Sequence, residues 1–541
     1  MENNTAAPCC PKCASPNAAK AGWRGATQKY CCKDCGTYYV GEYANKLPED
    51  KTPCPTCDKQ TPTIRNGNGG GKQRLVCKIC GTSFYSGRNL EPDRHPDKKT
   101  LLITSAVNDT PVHVKFLRSL KTYAETHDAE IIVIPLRYLN PTSKDQAKNE
   151  CTWSSSVLPY LYDGRMKICD GLQLLADIKT QPTAQNPLTG LDGFTGSDCG
   201  IVGHTRVALE SIATRGHELP KLMMTTGAVT MPEYSDTLAG KRGEFHHVFG
   251  AVVVQVDDDG IFHLRHIHAN KSGEFIDLDT TYTPTEAKPA PRPAALVMGD
   301  IHAERVDLLA LEGTHKIIDA LKPKRLIMHD VLDFGSASHH NSYFDKFLRH
   351  HTGKNSVIRE LKTTCDLIDS LHRDDMESVI VSSNHHNHLL RWLSDSRNGE
   401  DVENAEFYHS IKAETLSETI KTCKVPNPFK MAAQKLLKTP AKFLGDKDSY
   451  MVAGVELAFH GDLGSNGARG SAKSMDKIGV KTVIGHSHSP KIIGGCYQTG
   501  TTSQLDMGYN HGASSWLHSH VIIYANGKRS HIHLIKGRPW R

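Results

Sequence analysis

Five short apolar runs in the C-terminal half of this 541-residue chain each end abruptly in Asp, His or Asn. That pattern restricts the fold more than any other feature of the sequence. Ala294–Met298 runs into Gly299, Asp300 and His302, and Arg325–Met328 into His329, Asp330 and Asp333. Ser378–Val381 leads to Asn384, His385 and His386, Val455–Phe459 to His460 and Asp462, and Val480–Ile484 to Gly485, His486 and His488. Uninterrupted apolar runs of this length mark strands buried on both faces, and α/β sheets gather functional groups where such strands end. Five loops are therefore expected to meet on one rim, carrying oxygen and imidazole ligands suited to Mn²⁺, Fe²⁺ or Zn²⁺. An H-x-H pair alone is weak evidence. His518 with His520, and His531 with His533, share that spacing and are expected at alternating exposed strand positions.

The ordered set D-x-H, D-x-x-D, N-H, H and G-H-x-H, running from Asp300 to His488, resembles the calcineurin-like metallophosphoesterase superfamily. The resemblance implies a β-sandwich of two sheets flanked by helices and a pair of metal ions. One ion would be held by Asp300, His302, Asp330 and His488, the other by Asp330, Asn384, His460 and His486, with Asp330 bridging. His385 matches the family's proton donor. Manganese is the first candidate metal, with iron or zinc as alternatives. Two such ions about 3.5–4 Å apart activate a bridging water and clamp the phosphoryl oxygens during in-line attack, while the leaving oxygen takes a proton from the histidine. Two positions depart from the family pattern. His329 replaces the usual glycine before the bridging aspartate, which crowds that loop. His386 replaces the acidic residue that usually follows Asn-His, removing a carboxylate that orients the donor.

A softer metal pattern opens the chain. Cys10, Cys13, Cys32 and Cys35 recur as Cys54, Cys57, Cys77 and Cys80, offset by 44 or 45 residues. Two C-x-x-C turns brought together by a hairpin supply the four thiolates of tetrahedral zinc, so two structural zinc ions are expected, and the pattern resembles the zinc ribbons of transposases and transcription proteins. Cys9 and Cys31 read as spare thiols. Residues 1–98 carry 15 Lys and Arg against 9 Asp and Glu, an excess of six that equals the excess of the whole chain. A polyanion contact would want its charge there, with Trp23, Tyr30, Tyr38, Tyr39 and Phe84 available to stack on bases. The glycine-rich stretch from Asn66 to Lys72 lacks the Ser or Thr of a phosphate loop and reads as a hairpin tip.

The expected architecture is multidomain α/β: zinc ribbon 1 (1–45), zinc ribbon 2 (46–91), an α/β middle domain (99–283), a Pro-rich interdomain linker (284–293) and the metallophosphoesterase domain (294–541). The middle domain opens with a strand at Leu101–Thr104, a helix at Val112–Thr126 and a strand at Ala129–Pro135, and closes with a hairpin across Asp257–Gly260. His246, His247, His266 and His268 read as strand histidines rather than ligands. Insertions at 335–376 and 397–448 would shape a substrate groove; His339, His340, His350 and His351 in the first are either surface residues or phosphate contacts. No apolar run is long enough to span a membrane, and the N-terminus lacks a secretion signal, so a cytoplasmic protein is expected. The layout further resembles the large metallophosphoesterase-type proteins of tailed phages, including the pre-early kind that degrades host DNA. The leading expectation is thus a two-metal DNase with DNA as partner, in the host cytoplasm if phage-encoded. The alternatives are a small-molecule phosphatase or cyclic-nucleotide phosphodiesterase whose ribbons dock proteins, and a catalytically silent DNA-binding adaptor, against which the complete ligand set argues.

Overall fold

The structure, a computed structural model, describes residues 9–24, 27–40, 63–69, 72–77, 83–85, 96–138, 153–215 and 219–541. They belong to two compact units, residues 1–92 and 93–541. In the first unit two antiparallel three-stranded sheets repeat the same strand lengths: Ala18–Arg24, Thr27–Cys32 and Tyr38–Val40, then Thr63–Gly69, Lys72–Cys77 and Ser83–Tyr85. Tyr30 and Tyr39 are buried and stack at 5.9 Å, forming the small core of the first sheet with Cys10 and Cys32. They are therefore not free for base stacking; Tyr38 is 62% exposed, with the Lys29 ammonium 4.6 Å from its ring centre.

The second unit is mixed α/β. Its C-terminal strands Ala295–Val297, Arg325–Met328, Glu377–Ile380 and Ala441–Phe443 lie parallel in a six-stranded sheet completed by Ser519–Ile523 and Arg529–His533. Side chains alternate with period two. Ala295, Val297, Ile327 and Val379 face one hydrophobic cluster, while Leu296, Met298, Leu326, Met328 and Ile380 face another. That second cluster is closed by helices, among them Leu308–Leu321, Val357–Leu371 and Pro428–Leu436. The first of these starts at Asp307, whose side chain accepts from Ala310 N, and buries Ala310, Thr314, Ile317, Ile318 and Leu321 at helical spacing. It stops at Lys322 in the left-handed region, just before Pro323.

A ten-stranded sheet covers the other face. It includes Val455–Glu456 and Thr482–Ile484 at one end, and Cys199–Val202, Leu172–Leu175 and Arg165–Cys169 at the other. The joint is antiparallel pairing of Leu209–Ile212 with Lys491–Ile493. Residues 99–283 and 294–541, expected as separate domains, thus share one sheet and one compact unit. The reason is hydrophobic. The four-stranded sheet of Thr100–Val107, Ala129–Leu136, Gly250–Val256 and Phe262–His268 turns Leu101, Ile103, Val252 and Val254 onto the same cluster that Val297 and Val521 enter. Each such side chain is worth about 1.5–3 kcal/mol when fully buried, so neither sheet can leave this face to water.

Other expectations change with it. Residues 284–293 supply the edge strand Ala287–Pro289 beside Thr280–Tyr282, a position that tolerates proline. His246 ends a helix, Leu238–His246, whereas His266 and His268 do lie in a strand. His518, His520, His531 and His533 are buried rather than exposed. Their sheet is covered on both faces, and they remain neutral donors and acceptors: His520 Nδ1 accepts from Gly299 N at 2.9 Å, and His531 Nε2 lies 2.8 Å from Gln498 O. No helix of the described residues is long and apolar enough to cross a membrane.

Candidate metal centre

The five polar loops converge from two sheets. Three follow the parallel strands Ala295–Val297, Arg325–Met328 and Glu377–Ile380; two follow Val455–Glu456 and Thr482–Ile484 of the ten-stranded sheet. His488 Nε2 lies 3.1 Å from both Asp300 Oδ2 and His302 Nε2. His460 Nε2 lies 3.0 Å from Asp330 Oδ2, and His302 Nε2 and His385 Nε2 each lie 3.9 Å from that same oxygen. Three overlapping groups able to hold a metal result: Asp300, His302 and His488; His302, Asp330 and His385; and Asp330, His460 and His486. Asp330 belongs to two of them.

Two observations fit this donor set to bound cations. Asp300 Oδ1, Asp330 Oδ1 and Asn384 Oδ1 are buried without a hydrogen-bond partner. A buried acceptor left unpaired costs about 1–3 kcal/mol, more for a charged group, so three of them need a counterpart the protein does not provide. The backbone is also strained here: His302, Asp330, His486 and His488 have φ of 45°, 39°, 75° and 58°, a region uncommon for side-chain-bearing residues and concentrated at functional sites. Gly485 makes the approach possible, since a Cβ there would stand 2.2 Å from Asp300 Oδ1. It would also meet His329 at 3.1 Å, so Gly485 gives the room that the missing glycine at 329 would have given.

The electrostatics are those of anions caged by imidazoles. Burial would raise Asp300, but His460 and His488 outweigh it and bring the carboxyl to about 2. Asp330 is likewise held well below the usual range against burial, chiefly by His460 and His385. His460 is raised to about 9, because Asp330 and Asp300 overcome its burial. Burial lowers His486 and His488, leaving them neutral with a lone pair to offer.

Asp333 is the residue that spacing alone did not assign. Its main-chain oxygen lies 2.8 Å from His385 Nδ1, and its Oδ1 lies 3.5 Å from both His385 Nδ1 and His302 Nδ1. The main-chain oxygen thereby fixes the His385 ring, and the carboxylate adds a negative charge beside both imidazoles. Burial would raise it, yet His302 holds it at about 2. His386 itself stacks on Phe429 at 4.2 Å inside the core, where burial lowers it to about 3. Beside His385 opens a cleft of about 650 Å³ bordered by Arg305, His340, Arg349, His388 and Tyr509. His339, His340 and His388 cluster there, whereas His350 is 74% exposed near Glu403 and His351 stacks on Phe347. Trp516 meets His488 edge-on at 4.2 Å. Neither Tyr509 nor Trp516 belongs to a motif, and no sequence signal marks them. One wall of the cleft is fixed by Glu360, which accepts from Gly335 N and Ser336 N at 2.9 Å and sits 3.5 Å from Arg349, itself paired with Glu304.

The amino-terminal cluster differs in kind. Cys10 and Cys35 Sγ are 3.5 Å apart, as are Cys13 and Cys32 Sγ, and all four form one group able to hold a metal. Thiolates around tetrahedral zinc at about 2.3 Å would be separated by roughly 3.8 Å, close to this spacing. Of the second set, Cys54, Cys57 and Cys80 lie outside the described residues, and Cys77 ends the strand Lys72–Cys77.

No family model matches the chain, and no solved structure does. The chain is 35% identical over 466 residues to "Protein A1" of Escherichia phage T5, an alignment covering 81% of this chain and 82% of that protein.

Proposed function

Because the chain belongs to the family of phage T5 protein A1, we propose that it is a phage-encoded, two-metal phosphodiesterase of the metallophosphoesterase type that hydrolyses DNA. The observation carrying this reading is the convergence of Asp300, His302, Asp330, His460, His486 and His488 from strand ends, with Asn384 beside His385 on the remaining loop and three buried oxygens left unpaired. A metal pair bound there would supply a nucleophile at neutral pH and neutralise the phosphoryl oxygens. The chain's own residues divide the remaining work. Asp300, His302 and His488 would hold one ion, Asn384, His460 and His486 the other, and Asp330 would serve both. The main-chain oxygen of Asp333 fixes the His385 ring through Nδ1, which leaves Nε2 to deliver a proton to the leaving oxygen. The cleft beside His385, bordered by His340, His388 and Tyr509, gives a strand a place to lie. The amino-terminal ribbons, which carry the basic excess, would hold the DNA.

The deciding experiment incubates purified protein with duplex DNA, single-stranded DNA and a small chromogenic phosphodiester under Mn²⁺, Fe²⁺, Zn²⁺ and Mg²⁺. Metal-dependent release of nucleotides is expected. Turnover of the small ester with both DNAs untouched would move the function to a small-molecule phosphodiesterase, and no turnover under any metal would leave a binding protein.

A further inference from the structure

The strands Thr482–Ile484 and Arg529–His533 border, at their N-terminal ends, a pocket of about 520 Å³ that the proposed activity does not use. Four cationic side chains line it, Arg206, Lys481, Lys528 and Arg529, against a single carboxylate, Asp476. Asp476 is already engaged, its Oδ1 accepting from Gly495 N at 2.6 Å. Arg529 is nearly fully buried, anchored through Nη1 to Thr482 O and Gly495 O at 2.8 and 2.7 Å, with its guanidinium 4.1 Å from the Tyr497 ring centre. Like charges in a partly desolvated pocket repel. The effect registers on Lys528, whose pKa is lowered by burial and then by Lys481 and Arg529. Glycines 494, 495 and 527 bring bare backbone to the wall, and Phe245, 84% exposed, stands among the lining residues. Lys481 and His486 flank the same strand, five residues apart, which at about 3.3 Å per extended residue separates the pocket from the metal centre by roughly 16 Å.

From this arrangement we infer a second, non-catalytic phosphate-binding site, occupied by the phosphate of a free nucleotide or of a polynucleotide strand. The inference rests on the pocket's charge and shape and stands whether or not the metal centre cleaves DNA.

Thermal unfolding of the full-length protein, without added divalent cations, tests it with inorganic phosphate as probe against chloride at matched ionic strength. A ligand that binds only the folded state raises the midpoint by mass action, here by about 2–4 °C and saturably. Lys481→Gln combined with Lys528→Gln should abolish the shift, Lys481→Gln alone should weaken it, and the paired Lys→Arg variant should keep it. A deoxynucleoside monophosphate acting at lower concentration than phosphate identifies a free nucleotide as ligand; a short phosphorothioate oligonucleotide doing so identifies a strand. No phosphate-specific shift in the wild type, or an undiminished shift in the double Gln variant, overturns the site.

Discussion

The cysteine ribbon and the histidine–aspartate centre are both metal patterns, yet they solve opposite problems. In the ribbon, four thiolates come from two turns of one short hairpin unit, their sulfurs 3.5 Å apart in pairs, and the described core beside them is little more than Tyr30 and Tyr39. A bound ion there would supply much of the fold, as small zinc domains require. In the second unit the order is reversed: two large hydrophobic clusters hold the sheets in place, and the ligands sit on loops that the sheets position. The ligands there keep strained backbone and unpaired oxygens, which a scaffold of that size can tolerate. The contrast teaches that ligand softness and ligand support go together: a metal that would make the fold meets sulfur, while a metal that the fold would serve meets oxygen and nitrogen beside an open cleft.

Breaking the comparison at the second unit should give the largest effect. Asp330→Asn should reduce turnover to background and lower the metal content of residues 93–541, while the melting transition of this unit persists because its clusters do not depend on the ligands. Collapse of the fold together with metal loss would erase the distinction drawn above. Next in size, if His385 is the proton donor proposed above, His385→Asn should keep the metal content of the wild type but slow turnover by about 10²–10⁴-fold. Its defect should shrink on a p-nitrophenolate ester, whose leaving group hardly needs a proton. Equal slowing of good and poor leaving groups would assign His385 a ligand or structural role instead.

A smaller loss, about 10–100-fold, is expected for Asp333→Asn, which removes the charge beside His302 and leaves the main-chain bond to His385, the scale for outer partners of metal-binding side chains. Asp333→Glu should recover part of it, and a shifted pH profile would separate positioning from general damage. The mildest effect on chemistry belongs to the ribbon. Cys10→Ser with Cys13→Ser should remove one tightly bound zinc and weaken DNA retention above about 0.1 M salt. Turnover of a small phosphodiester should be unchanged. Cys9→Ser or Cys31→Ser should leave the zinc content intact; a loss there would mean the ligand set has been drawn wrongly.

Much of this was legible in the chain. The buried parallel strands announced themselves because a strand covered on both faces must be apolar at every position, as Leu326, Ile327 and Met328 are. The candidate groups at the strand ends were visible because polar residues at such places have few other uses, and the βαβ opening at residues 100–136 followed from its periodicity. Two of the errors share one cause. His520 and His531 looked exposed because alternation says which residues share a face but not what covers that face. Tyr30 and Tyr39 looked available for bases for the same reason.

What the sequence by itself determined was therefore local and chemical: which segments are strands, which side chains can bind metal, and where the charge excess lies. Tertiary structure alone decided that residues 99–283 and 294–541 share a sheet through Leu209–Ile212 and Lys491–Ile493, and that Gly485 makes room for His329. It alone placed the main-chain oxygen of Asp333 against His385, and gathered Arg206, Lys481, Lys528 and Arg529 around one pocket. Sheet pairing and side-chain proximity join residues tens to hundreds of positions apart, and they are set by which apolar faces must be buried together, a property of the whole chain that no window of it contains.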